Sequence, residues 1–286
     1  MANLKELRSR ITSVSSTMQI TSAMKMVSAA KLNKAQVAIT AMRPYSDKLT
    51  ELLQSLSASL EGDSASVYSE EREVNKVLVV AIASNRGLAG AFNTNIIKAS
   101  RDLYENTYAG KQVDFVTIGK KVDDIISKTH TVIANKNEVY DELTFSNVAA
   151  IAEELMGLFS NGSYDKIVIV YNKFKNAATQ DVTIEQFLPI LPIAGDANVN
   201  LDYIFEPSKE EIVEELIPKS LKTQLYKGIR DSFASEHGAR MTAMHKATDN
   251  ATELRDALKL SYNKARQASI TNEILEIVGG AEALNN

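Results

Sequence analysis

A chain of 286 residues, 44% of them hydrophobic, is long enough to bury one large core or two ordinary ones, which excludes general disorder. A formal net charge of -4 argues against a general nucleic-acid binder, and the lack of any cysteine excludes disulfides, thiolate metal sites and a cysteine nucleophile. The longest apolar run, Val77 to Ala83, falls far short of the roughly 20 residues that span a bilayer, so no direct membrane insertion is expected.

The N-terminal stretch has no Gly before Gly62 and no Pro before Pro44. Leu4, Leu7, Ile11, Val14 and Met18 are spaced 3, 4, 3, 4, the a/d seam of a coiled coil. After Met18 the apolar residues Ile20, Met24 and Val27 predict that the stripe changes register, since the unshifted heptad would put Thr21, Lys25 and Ser28 inside. Residues 1–60 are therefore expected to form an N-terminal coiled-coil helix. Between Met1 and Thr40 the basic residues Lys5, Arg8, Arg10, Lys25, Lys31 and Lys34 face Glu6 as the only acid. Such a face suits acidic protein partners, and a merely solvated face or an anionic lipid or nucleic-acid surface are its alternatives. The last is disfavoured because this stretch has no aromatic residue to stack on bases.

The middle of the chain, residues 74–195, reads as a Rossmann-like α/β domain with a mainly parallel sheet. Lys76 to Ala83, Val113 to Ile118 and Ile167 to Tyr171 are β-branched, apolar strand candidates, and Val182 to Leu188 is a candidate edge strand. Helical patterns at about Ala91 to Tyr104, Lys120 to Ser127 and Phe145 to Phe159 alternate with them, which predicts βαβ units. Ser- and charge-rich residues Glu61 to Glu73 and the stretch Gly195 to Leu201 are read as linkers.

Residues 208–286 are expected to form the C-terminal coiled-coil helix, antiparallel to the first. Ser208-Lys209-Glu210-Glu211 is a capping box, and Pro218 is expected to kink or divide the helix. From Met244 a 3, 4 spacing runs through Ala247, Ala251, Leu254, Leu258, Ser261, Ala265, Ala268, Asn272 and Leu275, a seam rich in small residues.

No constellation supports catalysis. The turn Asn85 to Gly90 follows a strand and opens a helix, where α/β folds bind phosphates, but it lacks both GxGxxG and the P-loop lysine. Spacing leaves a tight structural turn, which is favoured, or an anion site. His130, His237 and His245 form no metal-ligand set, and Glu210, Glu211, Glu214 and Glu215 suit the first turns of a helix, where acids meet the dipole. No catalytic residue, cofactor or metal is expected. A nucleotide-binding enzyme and a homodimeric coiled-coil scaffold are the rival readings.

Three blocks carry a family resemblance: Ile20 to Val27, the turn Ser84 to Asn93, and Ala234 to Met241 continued by Asn263 to Thr271. They resemble the gamma subunits of F-type, proton-translocating ATP synthases of the bacterial type, in order and over essentially the whole chain. The resemblance implies a non-catalytic central rotor shaft that couples proton flow through the membrane c-ring to ATP synthesis or hydrolysis on the alpha/beta ring. Its implied partners are three alpha and three beta subunits around one copy, the epsilon subunit and the c-ring, with no nucleic acid. By matching motifs, Arg8, Met24, Lys25, Arg240, Gln267, Thr271 and Glu276 would meet beta, while Tyr203 and Glu206 would face the c-ring and epsilon. Asn85 and Ala89 depart from the Asp and Cys found in the family turn. The first twenty residues are Ser-rich and acid-poor like a transit peptide, but their pattern continues past residue 30, so a peripheral location on the cytoplasmic face of a bacterial inner membrane is expected.

Overall fold

A computed structural model describes residues 4–57, 67–70, 72–190 and 209–284. In chain order these form α1 (Leu4–Ser57), β1 (Lys76–Ile82), α2 (Phe92–Asp102), β2 (Gln112–Ile118), α3 (Lys120–Ile126), β3 (Val132–Asn135), α4 (Phe145–Ser160), β4 (Lys166–Phe174), β5 (Gln180–Leu188) and α5 (Lys209–Leu284). The chain divides into two compact units, residues 1–28 with 241–286, and residues 29–240.

The second unit is built on a five-stranded sheet of order β3-β2-β1-β4-β5. Three pairings are parallel, and the β4–β5 hairpin is antiparallel. The central strand β1 reads as an almost unbroken apolar run because both faces of the sheet are covered there. Leu78, Val80 and Ile82 of β1 pack in the core with Ile151, Leu155 and Phe159 of α4 and with Ile217, Leu221, Leu225 and Ile229 of α5. Val77, Val79 and Ala81 point the other way, into a core with Ile96 of α2 and Val122 and Ile126 of α3. The expected strands and helices of this region are all present to within a few residues. The short β3 was not foreseen, because four residues with alternating burial carry too little pattern. Nor was the π-helical turn at Leu103–Thr107 that extends α2.

Pro218 does not divide α5, which runs unbroken from Lys209 to Leu284. An internal proline costs about 3 kcal/mol, but Ile217, Leu221 and Leu225, each at most 4% exposed, hold this part of the helix on the sheet. The Ser208 cap lies outside the described residues.

The first unit pairs α1 with the far part of α5. Met18 meets Arg255, Thr21 meets Thr248 and Lys25 meets His245, so residue numbers fall along one helix as they rise along the other and the pair is antiparallel. Here the structure corrects both expected seams. The heptad of α1 does not shift after Met18. Thr21 and Ser28 are buried and Lys25 half-buried, whereas Ile20 and Val27 are each 59% exposed. The same 3, 4 spacing carries on into the second unit through Leu32, Ala35 and Ile39, all buried. On α5, Met244 and Ala251 are buried and Ala247, Leu258 and Ala265 half-buried as expected, but Thr248 is half-buried too, and past Ala251 the second row is Arg255, Tyr262 and Ser269. Leu254, placed in the seam by its apolarity, is 52% exposed. Polar residues can occupy the seam because they are satisfied there. The Thr21 and Thr248 hydroxyls lie 2.8 Å apart, so one donates to the other across the pair, and an Arg255 nitrogen lies 3.4 Å from the Met18 sulfur.

One glycine fixes the sheet's carboxyl end. Gly119, between β2 and α3, has φ +117°, and a Cβ there would sit 2.2 Å from the Ala83 carbonyl oxygen. Gly119→Ala is expected to destabilise the chain by about 3 kcal/mol or more through backbone strain and overlap, read as a lower urea midpoint. Gly110→Ala also has positive φ but meets nothing within 4 Å, and it should cost distinctly less.

Candidate functional site

A strand order of 3-2-1-4-5 places the topological switch point between β1 and β4, where doubly wound sheets take nucleotides at the strands' carboxyl ends. In this chain α5 fills that position. The turn after β1 is tied from within: the Ser84 amide donates to Asn93 Oδ1 at 3.0 Å, and the Ser84 hydroxyl donates toward the Arg86 carbonyl at 2.6 Å. Asn85 bridges outward, donating to the Asn137 carbonyl and accepting from the Lys120 amide. Leu88 and Gly90, both with positive φ, complete the reversal into α2.

Arg240 closes the arrangement. Its Nε lies 3.3 Å from the Gly87 carbonyl oxygen, and one terminal nitrogen lies 3.2 Å from the carbonyls of both Arg86 and Gly87. The other terminal nitrogen pairs with Glu236 at 2.6 Å, one helical turn back, with both side chains over 90% buried. Ala239 packs with Ala89 and Phe92 beside it. The turn therefore presents carbonyl oxygens to a guanidinium, the reverse of the amide cradle that an anion needs. It is the structural turn, and its crevice is occupied by protein. Two further contacts seat α5 here: Ser235 donates to the buried Asn172 carbonyl, and a Cβ on Gly238 would come within 3.2 Å of the Ala177 backbone. Arg240 was singled out by resemblance, but Glu236 was passed over. The i, i+4 acid–base spacing was the available signal.

Burial pushes the Glu236 carboxyl above its ordinary value, opposed by Arg240 and, more weakly, by Lys31 and Arg86. Burial likewise lowers His237, to about 4, with Arg240 and Lys31 adding to the effect. Both ring nitrogens of His237 lack a hydrogen-bond partner, and its ring packs edge-on against Phe233 at 4.5 Å.

The other expected contact residues lie on the first unit. Arg8, Gln267, Thr271 and Glu276 are exposed, while Met24 and Lys25 are half-buried. The Lys25 ammonium lies 3.3 Å from His245 Nδ1, which also stands 3.4 Å from an Asp249 carboxylate oxygen. The Thr271 hydroxyl donates to the Gln267 carbonyl, which brings those two together on one face. Arg240, in contrast, belongs to the second unit and is engaged inside it. Tyr203 and Glu206 lie outside the described residues. Among the described residues there is no cluster of three metal-ligating side chains, and no helix is long and apolar enough to cross a membrane.

The family described as ATP synthase matches residues 3–284. The ATP synthase gamma chain of Christiangramia forsetii is 72% identical over 285 residues, covering 100% of both chains. That of Geobacter sp. strain M21 is 45% identical over 286 residues, covering 99% of each. The chain belongs to the ATP synthase gamma chain family. Its fold is also that of a chain in the Euglena gracilis mitochondrial ATP synthase OSCP/F1/c-ring structure, with TM-score 0.73 and 23% identity over 98% of this chain and 94% of that one. A chain of the Euglena gracilis rotor matches with TM-score 0.68 and 22% identity over 93% and 98%.

Two predictions follow from the Glu236–Arg240 pair and its neighbour. Arg240→Met alone should cost about 3–5 kcal/mol by leaving a buried carboxylate unpaired, whereas Glu236→Leu combined with Arg240→Met should recover much of it, in denaturant titrations of the three chains. His237 is depressed in the folded state, so its neutral form contributes stability above pH 6.5 that is lost as pH falls towards 4. His237→Gln should therefore remove on the order of 3 kcal/mol of the stability loss between pH 7 and pH 4, measured as the difference in unfolding free energy between the two conditions.

Proposed function

We propose that this chain is the central rotor shaft of an F-type ATP synthase, coupling proton flow through a membrane c-ring to ATP synthesis or hydrolysis on a surrounding alpha/beta ring. The chemistry belongs to the ring subunits, and the shaft selects among their states. The supporting observation is the end of α5. Every residue from 271 to 281 is exposed, including Ile274 at 54%, Leu275 at 63%, Ile277 at 72% and Val278 at 50%. Contiguous exposed apolar surface of this kind marks a surface for partners, and a sheath of three alpha and three beta subunits would cover it.

The contacts follow from charge and position. Arg8, Met24 and Lys25 would meet beta along α1, and Gln267, Thr271 and Glu276 along α5. Arg240 would serve the same contact through the turn that its guanidinium holds. Tyr203 and Glu206 would face the c-ring and the epsilon subunit, which keeps the complex at the cytoplasmic face of a bacterial inner membrane. The working parts are then an N-terminal coiled-coil helix over 1–60, an α/β domain over 74–195 and a C-terminal coiled-coil helix over 208–286. A shaft whose sides differ binds each beta differently, and a partner can shift a conformational equilibrium only through such differential contact. Rotation then passes each contact to the next beta in turn.

Native mass spectrometry after coexpression with alpha and beta subunits should give one copy per three of each, and separate peaks would refute the reading. In the assembled complex, Arg8→Ala and Lys25→Ala should change ATP turnover or its coupling to proton transport several-fold. Folding stability should move by no more than about 0.5–1 kcal/mol, as expected for exposed or half-exposed positions.

A further inference from the structure

We draw no further inference here: the strongest candidate, the open groove between β3 and α4 where Gly157 leaves room near the exposed Ile133, carries nothing because nothing in the structure shows what covers it.

Discussion

The buried pair of Glu236 and Arg240 is the interaction on which the α/β unit depends. A parallel sheet leaves an open crevice at the carboxyl ends of its strands, and most folds of this order fill it with a ligand. Here a guanidinium fills it, neutralised by a carboxylate one turn away and anchored on the carbonyls of Arg86 and Gly87. Buried ion pairs contribute little net stability compared with apolar packing, but breaking one is expensive because the survivor is left uncompensated. The pair therefore favours one seating of α5 over its alternatives more than it strengthens the fold. The neighbouring contacts share that specificity. Gly238 has no side chain, so the Ala177 backbone can come close, and Ser235 satisfies a carbonyl on the buried end of β4. For a helix with the torque-carrying role proposed above, being held in one position matters more than being held tightly.

The centre of the sheet was legible in the sequence because burial on both faces leaves few polar residues to blur the pattern. Val77 to Ala83 is apolar throughout and is 0% exposed throughout. The helix pair was legible in its existence and direction but not in its facing. A heptad written by Leu4, Leu7, Ile11, Val14 and Met18 is unambiguous only while the next residues in phase stay apolar. At Thr21 they do not, and an eye guided by hydrophobicity follows Ile20 and Val27 out of the seam. The physical rule that prevails is geometric. Once two helices are wound together at 3.5 residues per turn, the row facing the partner is fixed by the winding, and the side chains on it are whatever the sequence supplies. The same reasoning explains Leu254: Arg255, the next residue, lies in the row that faces Met18, so Leu254 turns outward. The Arg240 turn was partly legible, since its motif was recognisable, but its carbonyl-to-guanidinium polarity depends on backbone direction that no residue pattern encodes.

The first unit departs in this respect from an ordinary coiled coil, because polar residues share its seam with Leu7, Met244 and Ala251. Thr21, Lys25, Ser28, Thr248 and Arg255 are on the inside, and Ile20, Met26, Val27, Ile270, Ile274 and Ile277 are on the outside. Burying such side chains is worth about 1.5–3 kcal/mol each, and in the isolated chain this stabilisation is not realised. A hydroxyl pair across the seam contributes about 1 kcal/mol or less. The helix pair by itself is thus weakly held, and most of its available stabilisation lies on surfaces that only a surrounding partner can cover. This distribution suits the turning shaft proposed above. A wholly apolar seam would make the pair indifferent to its surroundings, whereas a partly polar seam with apolar residues left exposed makes its stability depend on a covering partner. Because apolar attraction is non-directional, that exterior can slide past successive partner surfaces without the directional bonds that would lock it at one angle. The exposed charges, Arg8 and Glu276 among them, are then left to distinguish one angle from another.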